Sequence, residues 1–150
     1  MIEFKSGKLK EGILKNYVEK IDPFYMENEV TAEMMEKFEL LDLNDLEIDD
    51  LSGIEYAKNI RLLYIANNNI EDISPLGSCS KLEILDFHKN KISDIWPLEK
   101  LRRLEYLNIS YNDITDVMAL NDIPNIDSIN IRGNTIENKL PLRHIRFVKK

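Results

Sequence analysis

A pattern of the form L-x-x-L-x-L-x-x-N-x-I returns every 22 residues from Phe38 to the C-terminus. Leu82, Leu85, Phe87, Asn90 and Ile92 carry it once; Leu104, Leu107, Ile109, Asn112 and Ile114 carry it again. A fixed period in this range means a stack of like supersecondary units, each burying its apolar face against its neighbour. Five units lie in register: 38–59, 60–81, 82–103, 104–125 and 126–147. Positions 1, 4, 6, 11, 14, 17 and 20 of each unit should point inward. Thirty-four of these thirty-five residues are apolar, against 43% for the whole chain. The exception is Lys139, in a terminal coil with a neighbour on one side only.

Within a unit, positions 2 to 8 alternate as a short strand should. Strands stacked one unit apart make a parallel sheet with a spacing of about 4.8 Å. The return segments carry Ser74-Pro75-Leu76 and Trp96-Pro97-Leu98. Proline there suits the start of a short helical or 3₁₀ turn, and Ser74 is a candidate cap for it. A unit this short leaves little room for a full helix on the convex side. Position 9 reads Asn68, Asn90, Asn112 and Asn134. Amides supply both donor and acceptor where the coil turns, and stacked amides can bond along the ladder. Leu46 replaces asparagine in the first unit, so that turn is expected to be capped differently.

Residues 1–37 do not repeat. Leu9, Ile13, Leu14, Tyr17 and Val18 share one helical face, Asp22-Pro23 marks a turn, and Thr31, Glu33 and Met34-Met35 open a second short helix. An open solenoid end would expose core, and such a segment would cover it. The expected fold is thus an α/β solenoid, with a short parallel concave sheet and a 3₁₀ or irregular convex side. Residues 1–37 are expected to form a helical N-terminal cap on the five-unit solenoid of residues 38–150.

The formal charge of −7 disfavours nucleic acid and anionic membrane as partners, since both demand a basic footprint. Cys79 is the single cysteine, so no intrachain disulfide can form. The N-terminal Met1-Ile-Glu-Phe-Lys lacks the pattern of a signal peptide, and no stretch approaches the length of a membrane span. The expected location is cytoplasmic, or secreted or on the cell surface if the chain is a fragment of a larger protein.

Ile70-Glu-Asp-Ile-Ser-Pro-Leu76, Ile92-Ser-Asp-Ile-Trp-Pro-Leu98 and the segment Asp50–Ile60 resemble the 22-residue leucine-rich repeats of bacterial internalin-like proteins. The same repeat class occurs in eukaryotic regulatory subunits of protein phosphatases. Phe4, Leu9, Ile13, Val30-Thr31 and Met34-Met35 look like the helical cap that precedes such repeats in Firmicute proteins. The resemblance implies a curved solenoid that binds other proteins and has no catalytic activity.

The concave face should expose positions 2, 3, 5, 7 and 8. Position 3 reads Leu40, Leu62, Ile84, Tyr106 and Ser128, an apolar stripe where a wet face is expected. Tyr64 and Tyr111 lie beside it. Apolar and aromatic side chains rimmed by charge are the make-up of an interface, although β-propensity alone also favours such residues in strands. The candidate protein-binding set is Leu62, Tyr64, Ile84, Asp86, His88, Tyr106, Asn108 and Tyr111. Position 15 offers a second surface, with Trp96, Met118 and Leu140 in one row beside Pro97, Ala119 and Pro141, suited to weak self-association unless Phe147-Val148 covers it. Charge is polarised along the stack: unit 38–59 carries net −6 and residues 126–150 carry net +4.

Asp86, His88 and Ser110 resemble a catalytic triad in spacing, but a solvated sheet offers neither an oxyanion hole nor a buried acid. His88 and His144 are too far apart in the stack to share a metal, and neither a phosphate loop nor a nucleotide fingerprint is present. No cofactor is expected. The leading functional expectation is a non-catalytic module inside a bacterial cell, an adaptor or regulator that grips a protein with its concave face. The alternative is an adhesin-like domain from a longer surface protein.

Overall fold

The computed structural model describes all residues, Met1–Lys150. Strands β1 (Leu40–Asp42), β2 (Leu62–Tyr64), β3 (Ile84–Asp86), β4 (Tyr106–Asn108), β5 (Ser128–Asn130) and β6 (Phe147–Lys149) form one parallel sheet in chain order. Each covers only positions 3 to 5 of its unit, a tighter strand than the alternation at 2 to 8 suggests. The register steps by one repeat throughout the first five strands, Leu40↔Leu62, Leu62↔Ile84, Ile84↔Tyr106 and Tyr106↔Ser128. All thirty-four apolar inward positions are buried, and Lys139 is exposed. Such a column is stable because every coil covers the apolar face of the one before it.

Two ladders of polar side chains bend each coil. After the strand, position 8 adopts a left-handed backbone in every unit: Asp45, Asn67, Lys89, Tyr111 and Gly133 all have positive φ. Position 9 then turns its amide inward. Asn90 Nδ2 donates to the carbonyls of Ile65 and Phe87, both at 3.0 Å, while its Oδ1 accepts the Ile70 N–H at 3.0 Å. Asn68, Asn112 and Asn134 repeat the arrangement in the second, fourth and fifth coils. The amides do not bond to each other along the ladder; each ties its own coil to the backbone of the preceding one. Leu46 is accommodated differently, because Asn68 Oδ1 accepts the Leu46 N–H and the Leu46 side chain meets the helical cap.

On the return side the chain runs through 3₁₀ turns at Ile54–Tyr56, Ser74–Ser78, Trp96–Lys100, Met118–Asp122 and Leu140–Leu142. The residue that sets up each is at position 13, not the serine at 15. Asp50, Asp72, Asp94, Asp116 and Asn138 each accept, through Oδ1, the backbone N–H two residues on. This is the Asx turn in which a carboxylate mimics a backbone carbonyl. Ser74 does not cap the turn: its hydroxyl donates to Asp72.

The last coil departs from the period. Phe147 does not close a fifth unit but opens β6, pairing with Ser128 only 19 residues earlier. The three missing residues come out of the return, whose final 3₁₀ turn is correspondingly short. Ile145 therefore falls beside Ile126 and starts a partial sixth coil, with Val148 half-buried against the core.

At the other end, helices α1 (Gly7–Lys20) and α2 (Ala32–Glu36) cover the first coil. Ser6 and Thr31 cap them by accepting the N–H of Leu9 and Met34. Leu9, Ile13 and Tyr17 are buried, and Leu14 and Val18 only half so. Gly12 lets α1 close on the sheet: a Cβ there would lie 2.6 Å from Leu46 Cδ1 and 2.8 Å from Leu43 Cδ2. Asn16 serves as a surrogate strand. Its Nδ2 donates to the Asp42 carbonyl at 2.7 Å and its Oδ1 accepts the Asp42 N–H at 3.2 Å, so the free edge of β1 is satisfied.

Candidate functional site

The concave face has two zones, and the strand register creates both. Leu62, Ile84 and Tyr106 stand side by side at position 3 of β2, β3 and β4, half-buried, with Leu40 exposed at one end. Tyr64 is flanked in the sheet by Asp42 on one side and Asp86 on the other. Burial first, then the nearby Asp86 carboxylate and Tyr64, push the Tyr106 phenol above its ordinary value, so this hydroxyl stays protonated and can donate. Along the rim, Arg61 forms a two-pronged ion pair with Glu83, at 2.9 and 2.7 Å, which fixes both side chains across adjacent coils.

The second zone is a polar network over β3 to β5. His88 Nδ1 lies 2.7 Å from Asp86 Oδ1, and Asn108 Nδ2 donates to Asp86 Oδ2 at 3.1 Å. Ser110 donates its hydroxyl to Asn108 Oδ1 at 2.7 Å and accepts from Asn130 Nδ2 at 3.3 Å. The hydroxyl is thus committed to an amide rather than to His88, and the three groups do not form a nucleophilic relay. What the network does is hold Asp86 and His88 in one pose. Asn108 is a correction to the expected contact set: it is buried beneath its neighbours and supports Asp86 instead of facing solvent.

Position 5 explains why Tyr64 stands out. In the other four repeating coils an Asx occupies that position, and its Oδ1 accepts the backbone N–H two residues on, at Asn44, His88, Ser110 and Arg132. Tyr64 cannot do this, and the orphaned Ala66 N–H is taken instead by Asn44 Oδ1 from the preceding coil. An aromatic residue therefore replaces a structural one at the centre of the face. Tyr111 has a mixed role. Its ring lies over Gly133, where a Cβ would be 2.5 Å from Tyr111 Cδ1, yet the residue remains 54% exposed.

On the flank, Trp96, Met118 and Leu140 are 49%, 41% and 56% exposed. Phe147 and Val148 do not cover them, being taken up by β6. Ala119 and Pro141 are buried, so they back the row from within and are not part of the exposed stripe. No helix is long and apolar enough to cross a membrane.

The parallel sheet, the asparagine ladder and the 3₁₀ returns define a leucine-rich-repeat solenoid. The family pattern described as "Leucine Rich repeats (2 copies)" matches residues 58–101. Among solved structures, the internalin InlF of Listeria monocytogenes superposes with a TM-score of 0.85 and 29% identity, covering 97% of this chain and 43% of that one. Internalin C2 of the same organism gives 0.75 and 29%, over 78% of this chain and 53% of its own. A leucine-rich-repeat protein of Leptospira interrogans, at 0.70 and 18% over 79% of this chain and 33% of its own, shares the fold. The chain carries leucine-rich repeats and is similar in fold to these internalins, of whose length it spans about half. No curated protein sequence matches it.

Proposed function

We propose that this chain is a non-catalytic protein-binding module whose concave sheet grips a protein partner. The contact centres on Leu62, Tyr64, Ile84 and Tyr106, with Tyr111 at the margin and Asp86 and His88 as fixed polar groups. The observation that carries the reading is Tyr64: it displaces the Asx that the coil otherwise uses and stands beside a half-buried apolar row. A residue that gives up its coil's own Asx turn, leaving the Ala66 N–H to Asn44 of the preceding coil, is best explained by a contact outside the scaffold. Aromatic anchors of this kind dominate interface energies.

Replacing Tyr64 and Tyr106 together by alanine should leave the circular dichroism spectrum and urea midpoint near wild type. It should also weaken the partner recovered by crosslinking from the native organism by about 2 kcal/mol, roughly thirtyfold. Unchanged affinity in the folded double variant rules out the concave reading.

Two settings are open to such a module. An adaptor or regulator inside the bacterial cell accords with the single, buried Cys79 and the acidic charge. The likeness to internalins, which extend well beyond the length of this chain, favours an adhesin-like role in a longer surface protein. Fractionation of the native organism, with an antibody against the solenoid, separates them.

A further inference from the structure

We propose that the flank bearing Trp96, Met118 and Leu140 is a homodimer contact, whose occupant is a second copy of this chain lying antiparallel. This inference is independent of the concave face. Three adjacent coils present one large apolar side chain each, between two-fifths and three-fifths exposed, in a single row. The same position in the first two coils is Ser52 and Ser74. The amides of Trp96, Met118 and Leu140 are held by Asp94, Asp116 and Asn138 at 2.8, 2.8 and 3.0 Å, which fixes the backbone carrying the row. The 3₁₀ return gives the row its position but asks nothing of the side chain, because serine serves equally in the same turn.

Charge selects both the occupant and its direction. Unit 38–59 carries net −6 and residues 126–150 carry net +4. Two copies side by side in the same direction would set acid against acid and base against base. A two-fold axis between the third and fourth coils reverses this. Trp96 of one copy then meets Met118 of the other, twice, and each Leu140 reaches the small Ser74. Beyond the row, Glu71 and Asp72 of the second coil face the coil that carries Lys139 and Arg143. An isologous contact of this kind closes on itself and does not propagate. The apolar row is far smaller than the roughly 800 Å² per partner of a standard interface, so the dimer is weak.

Sedimentation velocity of the full chain from about 10 μM to 1 mM tests this, with affinities in the upper part of that range expected from so small a contact. Trp96→Ser, which installs the residue the first two coils already carry, should raise the dissociation constant at least tenfold with an unchanged urea midpoint. Trp96→Glu should abolish the dimer. Raising salt from 50 to 500 mM should weaken association, since screening removes the end-to-end attraction. Carbodiimide coupling of mixed isotopic copies should join Glu71 or Asp72 of one copy to Lys139 of the other. A chain monomeric throughout, a dimer indifferent to Trp96→Ser, or coupling between like ends would each overturn the proposal. Loss of the dimer on Tyr64→Ala with Tyr106→Ala would also overturn it, moving self-association to the concave face.

Discussion

Single side chains in this protein are tied to backbone more than to each other, and that makes their substitutions readable. Asn90 satisfies one buried N–H and two carbonyls. Asn90→Ala should therefore destabilise the chain by about 3 kcal/mol in urea melts, since groups left unpaired inside keep their full desolvation cost. Asn134, only half-buried, makes the same bonds at the wetter end. Its alanine variant should cost about 1 kcal/mol, because water can replace the amide. Cys79 offers a different probe. Burial pushes its thiol from an ordinary 9.0 up to about 12, and its Sγ lies 3.6 Å from the Ile54 carbonyl. Below pH 9 both folded and unfolded thiols are protonated and the burial is tolerated. Above it the unfolded thiol ionises first, so stability falls as pH rises from 9 towards 12. At pH 8 the native thiol should react with an aromatic disulfide about a thousandfold more slowly than in the unfolded chain. The asparagine and apolar ladders were plain from spacing alone, because identical residues return at one interval. The left-handed position 8 was only half legible: Asp45, Asn67 and Gly133 tolerate that backbone, whereas Lys89 and Tyr111 disguise it. The aspartate at position 13 was visible as a recurrence, but a solvated acid and an Asx turn look alike until the partner N–H is seen.

At the scale of elements, the strands are too short to hold a sheet by themselves, and their edges decide how the sheet behaves. The N-terminal edge is closed by one side chain, Asn16, which reproduces both bonds a neighbouring strand would make to Asp42. Asn16→Leu should leave α1 seated through Leu9, Ile13 and Tyr17, yet free the Asp42 N–H. Hydrogen exchange should show that amide speeding up by at least tenfold while Leu63 and Leu85 stay protected; equal protection in the variant would deny Asn16 this role. The helical face and the Thr31 start were readable from sequence because caps and apolar periodicity are local signals. Asn16 was not, since a polar residue on a helix looks solvated until the edge it meets is known. The sixth strand was missed for a related reason. A shortened return shifts the apolar pattern by three residues, and a fixed-period reading carries the old register through Ile145 and Phe147.

The whole molecule is a column in which each layer touches only its neighbours, so stability should grade along it. Inward residues of the third coil, Ile92 and Leu98, have no exposure, whereas Ile136, Leu142 and Ile145 reach 9%, 5% and 6%. Native-state hydrogen exchange should accordingly show the highest protection across coils two to four and a decline through residues 126–150; a flat profile would mean that the column opens as one unit. The asparagine ladder gives this gradient a direction. Every amide of this ladder reaches backwards, from its own coil to the one already laid down, so the turn of each coil is completed by its successor. On the ribosome, each turn of chain would therefore stay unsealed until 22 more residues had emerged. For the gene, the same asymmetry means that an in-frame cassette of 22 codons inserted after residue 103 would bring its own fastener for the coil beneath and present a familiar seat to the coil above. The column can lengthen by duplication without any existing residue having to change.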